Sequence, residues 1–163
     1  MNHPSWHQMW RSPALMLGFG FGSGLAPKAP GTFGTLLGAL LFIPLLSVSQ
    51  EAAWLVLALG LLSGAWICGR AAELVGVHDH GGIVWDEFVG IWLVLLLLPA
   101  SYQAWYGWVA AFMLFRLFDI VKPWPIRWLD QRVHGGLGIM LDDIVAALFA
   151  LIPIWVFYIS LSN

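Results

Sequence analysis

Residues 81–99 read GGIVWDEFVGIWLVLLLLP. Two carboxylates, Asp86 and Glu87, stand at the head of the apolar run 88–99. In a soluble protein such acids need no special account, since a first helical turn favours anions by about 0.3–1 kcal/mol. In a bilayer, a carboxylate at mid-depth costs at least ~2.5–3.5 kcal/mol, so one held near that zone marks a site. The rest of the chain decides between the two readings. Hydrophobic residues make up 60% of the 163 and charged residues 10%, where soluble domains run near ~45–50% and ~25%. The 11 Trp residues agree, because indole rings favour membrane interfaces. The stretch therefore reads as a helix entering a membrane with its acids at the point of entry.

Working outward, segments 52–69, 88–99, 104–121 and 144–161 are apolar, and 36–48 is a shorter fifth. They predict an all-α integral membrane bundle of about five membrane segments, in a single domain over 1–163. A straight crossing takes about 20 residues. The short segments must borrow flanking residues, as GGIVW before Phe88 allows, or sit in a thinned bilayer. Residues 15–25 read as a glycine-rich N-terminal segment, re-entrant or interfacial. The joints at 47–51 and 99–103 are very short and predict antiparallel helical hairpins. The longer connections, 70–85 and 122–143, then share one side with the N-terminal region. That side receives Arg11, Lys28, Arg70, Arg116, Lys122, Arg127 and Arg132. The positive-inside rule makes it cytoplasmic, with the C-terminus outward.

Of the nine acids, only Glu51 lies outside 73–143. The net charge of −2 and the lack of a basic stripe exclude nucleic acid as a partner. The single cysteine, Cys68, can form no intrachain disulfide and reads as apolar packing within AWICG. Arg11 alone precedes a glycine-broken apolar run, which argues against a cleaved signal peptide.

Four polar clusters fall on the charged side. The first, GSGLAPKAPGTFG at 22–34 followed by Thr35, offers glycine amides and Lys28 to an anion, with Gly31 and Thr32 at its centre. It lacks the Gly-Lys-Ser/Thr of a P-loop, and a plain turn between helices explains it equally well. The second is HDHGGIVWDEFVG at 78–90, where His78 and His80 precede Asp86 and Glu87. The third is RLFDIVKPWPIRW at 116–128. There Arg116, Asp119 and Lys122 share one helix face. Arg116 and Asp119 could simply pair, or Asp119 could hold a metal while Arg116 and Lys122 hold a phosphate. Pro123 and Pro125 stop that helix, and Trp124 and Trp128 read as interfacial anchors. The fourth, HGGLGIMLDDIVA at 134–146, repeats the second: His134, glycines, then Asp142 and Asp143 ahead of an apolar helix.

Carboxylates beside basic groups suit a hard cation, and Mg²⁺ commonly completes its shell with phosphate oxygens and water. No HExxH or CxxC points to zinc. The candidate metal set is Asp86, Glu87, Asp119, Asp142 and Asp143. A transporter or ion-binding membrane protein is the rival reading, but such proteins bind near mid-bilayer between repeats, and this sequence shows no repeat.

At these four clusters the chain resembles the phosphatidylglycerophosphatase A family, over nearly its whole length from Gly20 onward. The resemblance implies a bacterial inner-membrane enzyme that uses Mg²⁺ to remove the terminal phosphate of phosphatidylglycerophosphate, a phospholipid substrate drawn from the bilayer. Thr35 stands where the family pattern leads us to expect Ser. Together with the residue readings, it implies catalytic roles for Asp86, Glu87, Asp119, Asp143, His78 and His80, one histidine giving a proton to the leaving oxygen. It implies phosphate binding by Lys28, Gly31, Thr32, Arg116 and Lys122. Direct attack by water and a covalent intermediate both fit these residues.

Overall fold

Helix starts are set largely by proline and serine. In the computed structural model, which describes residues 3–77 and 80–162, Ser5 and Gln8 form a capping box at the head of α1 (Trp6–Arg11). Ser12 caps α2 (Pro13–Gly18), and Pro30 opens α3 (Pro30–Val48). Proline at this position forfeits no helical hydrogen bond and presents a preset φ. Ser49 caps α4 (Gln50–Val75), which Gly76 ends at φ 73°. There follow α5 (Trp85–Leu96), α6 (Trp105–Val121), α7 (Ile126–Arg132) and α8 (Gly135–Ser162). Short 3-10 turns cover Gly20–Leu25 and Ala100–Tyr102, and the described residues contain no strand.

The helices α3, α4, α5, α6 and α8 alternate in direction between two ends. Three of them, α3, α4 and α8, are long and apolar enough to cross a membrane, which makes this a membrane protein. Of the about five membrane segments expected, these three helices are long enough to cross by themselves. The 17-residue α6 reaches about 25 Å, and the 12-residue α5 about 18 Å. A helix as short as α5 is tolerable because it does not meet lipid. All its residues are buried except Asp86 and Leu93, and it packs on α3, α4, α6 and α8. Just past its C-terminal end, Trp155 Nε1 donates to Leu97 O at 3.1 Å, so a side chain supplies one of the missing partners there.

Lipid tails are as apolar as leucine, so the bundle is held by close packing and interhelical hydrogen bonds rather than by expulsion of water. Gly31, Gly34, Thr35 and Gly38 form the buried face of α3. A methyl at Gly34 would overlap Val84, and one at Gly38 would press on the Phe88 backbone. Trp92 Nε1 donates to Gly38 O at 3.0 Å and Trp85 Nε1 to Gly60 O at 3.4 Å. These two indoles are buried in the bundle, not placed at an interface as the general tryptophan argument expects. Trp124 and Trp128 are exposed at the charged end, as read from the sequence. Cys68 is buried.

Four boundaries differ from the sequence reading, each for a local reason. Residues 15–25 are not one continuous segment: α2 stops at Gly18, and Gly20, Phe21 and Gly22 all take positive φ, a conformation that breaks a helix. The loop expected over 22–35 ends early, because Pro30 starts α3. The last helix begins at Gly135 rather than near 144, so Asp142 and Asp143 sit inside it and not at its head. Trp85, not the residues from Gly81, is the first helical position of α5.

Candidate active site

Alternating helix directions bring the starts of α3, α5 and α8 and the ends of α4 and α6 to one end of the bundle. Every described Lys and Arg lies there, and every described acid except Glu51. Within that end is a cavity of about 160 Å³, lined by Asp86, Glu87, Asp119, Lys122, Asp130, His134, Asp142 and Asp143 among others. Oxygens from Asp86, Glu87 and Asp143 lie within 4.8 Å of one another. They come from the first turn of α5 and the third turn of α8, two helices in direct contact. The contact is close because Gly90 leaves room for Phe115 and for the Asp143 backbone.

Two cations organise the acids. Arg116 Nη1 donates to Asp119 Oδ2 at 2.5 Å and to Thr35 Oγ1 at 3.4 Å, and lies 3.6 Å from Glu87 Oε1. Thr35 is fully buried and its hydroxyl donates to Gly31 O at 2.8 Å. Gly31 is required here, since a methyl would collide with Glu87 Oε1 and crowd the guanidinium. Lys122 follows α6 with φ 44° and donates to Asp130 Oδ1 at 2.5 Å and Asp142 Oδ2 at 2.6 Å. Burial alone would lower its pKa, but the hydrogen bonds to Asp130 and Asp142 outweigh that and raise it, so the ammonium holds its proton.

The arrangement fits a hard cation. Asp86 Oδ1, Glu87 Oε2, Asp142 Oδ1 and Asp143 Oδ2 are buried and have no hydrogen-bond partner among the described residues. Buried carboxylate oxygens without donors are costly unless a cation faces them. Six carboxylates meet two cations around the cavity, an excess of negative charge that would repel an entering phosphate unless cations offset it.

The structure sorts the residues read from the sequence. It brings together Asp86, Glu87, Asp119, Asp142, Asp143, Arg116 and Lys122, with Gly31 alongside. Lys28 is exposed and Thr32 half-buried, and neither lines the cavity. The glycines of the first cluster have a packing role: a Cβ at Gly24 would overlap Gly82 O. His80 is buried against Phe19 and His3, accepts from Gly82 N–H at Nδ1 at 3.0 Å, and does not line the cavity. His78 lies outside the described residues. His134 lines the cavity. Two contributors were missed. Thr35 was noted only as a departure from a pattern. Asp130 sits amid Arg127 and Arg132, and its one signal is a spacing of four from Ile126, the buried residue of α7.

Among known proteins, the sequence profile described as phosphatidylglycerophosphatase A matches residues 16–158. Phosphatidylglycerophosphatase A of Escherichia coli K12 is 46% identical over 139 residues, 85% of this chain and 80% of the relative. The Haemophilus influenzae protein of the same description is 47% identical over 145 residues, 88% of each chain. A Bacteroides thetaiotaomicron protein, provisionally described as a phosphatidylinositol-3-phosphatase, is 40% identical over 146 residues, 86% of this chain and 90% of its own. No solved structure matches the chain.

Proposed function

The chain belongs to the phosphatidylglycerophosphatase A family, and from that premise we propose how it hydrolyses the terminal phosphate of phosphatidylglycerophosphate to give phosphatidylglycerol and phosphate. The observation that carries the reading is the convergence of Asp86, Glu87 and Asp143 within 4.8 Å beside Arg116. Asp86, Glu87 and Asp143 would hold Mg²⁺, with Asp119 and Asp142 next to them. When bound, the ion would offset the charge of the phosphoryl group and polarise it toward attack. Arg116 does not itself line the cavity but borders it through Asp119 and Glu87, and would turn part of its guanidinium to phosphate oxygens. Lys122 adds charge while fixing Asp142. Gly31 leaves room for the Glu87 carboxylate and the Arg116 guanidinium.

In direct hydrolysis, water attacks phosphorus, the bond to the glycerol oxygen breaks, and that oxygen needs a proton. His134 is the donor we favour, because it lines the cavity and His80 does not. Lys28 and Thr32, outside the cavity at the head of α3, would serve the second phosphate of the lipid rather than the one removed. The transporter alternative loses support, because the acids gather at one end of the bundle and no repeat relates its halves.

The protein is proposed to sit in the bacterial inner membrane with this end on the cytoplasmic side, a reading supported by the one-sided Lys and Arg. Phosphate release from phosphatidylglycerophosphate by the purified protein tests the function. Release should stop with EDTA and return with Mg²⁺. Release that ignores EDTA would remove the metal, and no release under any condition would remove the activity. Sidedness is tested on a Cys68→Ser background: a cysteine at Ala100 should react with an impermeant reagent from outside the cell, and one at Arg127 should not.

A further inference from the structure

A second concavity lies on the opposite face of the helix that borders the carboxylate cluster. It is an apolar groove of about 470 Å³ between the 3-10 turn (Leu25, Ala26) and α3 (Phe33, Leu36, Leu37, Leu40). On α3, Gly31, Thr35 and Gly38 turn inward, and the groove residues occupy the face turned away from them. Phe33, Leu36 and Leu40 are exposed. Lipid would cover such a face anywhere on the bundle, but two features set this one apart. It lies at the depth of the active site: Phe33 and Leu36 occupy the same turns of α3 as Gly31 and Thr35, which meet Glu87 and Arg116. A cation also follows its lining closely in the chain. Lys28 is exposed two residues after Ala26 and makes no ion pair among the described residues.

We propose that this groove seats an acyl chain of the lipid substrate, with the phosphodiester at Lys28, so that the headgroup bends round the first turn of α3 and delivers its terminal phosphate to the carboxylate cluster. The proposal rests on the phosphatase reading and names how its substrate is oriented. Charge complementarity points to a phospholipid as the occupant: an apolar groove is followed, two residues along the chain from Ala26, by a cation without an ion pair among the described residues, on the helix that borders the carboxylate cluster. A tail leaving the bilayer for an apolar groove gains little hydrophobic free energy. The groove therefore acts through orientation, and its loss should appear as slower turnover of long-chain lipid more than as weaker membrane association.

The test uses the full chain in nanodiscs with phosphatidylglycerol, the product, carrying a diazirine on one acyl chain. Photolabelling should concentrate in residues 22–40 and be competed by unlabelled phosphatidylglycerol. Ala26→Phe, or Leu36→Trp if that variant folds poorly, should remove the concentrated labelling. Leu62→Phe, on an 83% exposed lipid-facing position of α4, should not. In turnover, Ala26→Phe should lower kcat/KM for dioleoyl substrate relative to dihexanoyl substrate by about tenfold, the scale of a misoriented reacting group. Labelling spread evenly over all lipid-facing helices and unchanged by Ala26→Phe would overturn the groove. Wild-type protein that hydrolyses neither substrate would overturn the phosphatase reading instead, while the labelling result still decides the groove.

Discussion

Asp86–Glu87 and Asp142–Asp143 look alike in sequence, each an acidic pair ahead of an apolar run, yet the helices hold them differently. The first pair lies in the opening turn of α5, where free amides favour an anion. The second lies about two turns inside α8, beyond the reach of the dipole. Helix electrostatics can excuse the first pair and cannot excuse the second. The pairs also divide internally in the same way. Glu87 has Arg116 nearby and Asp142 has Lys122, whereas Asp86 and Asp143 have no ion-pair partner among the described residues. All four line the cavity and each keeps one buried oxygen without a partner among the described residues, but only one acid of each pair is anchored by a cation. A pair that only steadied a helix would not need this division.

The largest expected effect comes from removing an anchor. Arg116→Ala leaves Asp119 and Glu87 facing each other and should cost about 3–5 kcal/mol of stability, with the double variant Arg116→Ala/Asp119→Ala recovering much of it. Arg116→Lys should keep the melting temperature and lose turnover, because the ammonium lacks the guanidinium fork. Equal melting temperatures for wild type and Arg116→Ala would break the anchoring half of the comparison.

The unanchored acids come next. Asp86→Asn and Asp143→Asn should each lower turnover about a hundredfold or more, the scale on which one electrostatic contact to a transition state acts. Asp142→Asn should cost nearer tenfold, the scale of a group acting through another. Specific activities at saturating Mg²⁺ in one detergent measure all three. Identical losses for Asp142→Asn and Asp143→Asn would erase the distinction between acids anchored by a cation and acids that are not. The smallest effect should be that of Asp130→Asn. Lys122 keeps Asp142, and the lost pair is about a third exposed, so stability should fall by less than about 1 kcal/mol. A melting temperature as low as that of Arg116→Ala would show that Lys122 needs both carboxylates.

Composition and local pattern alone determined the class of this protein: a helical membrane chain, its charges gathered at one end, with the four runs that mark its family. Those properties are sums over short windows, and the cost of charge in hydrocarbon makes them hard to misread. Tertiary structure decided which atoms meet. It placed Asp130 and Thr35 in the site, left Lys28 and His80 outside the cavity, moved Asp142 and Asp143 inside α8, and buried Trp85 and Trp92. These outcomes depend on how far each helix is rotated and how closely it approaches its neighbours. Rotation and approach are set where Gly34 meets Val84, Gly38 meets Phe88 and Gly90 meets Phe115, contacts between residues distant in the chain that no local window contains.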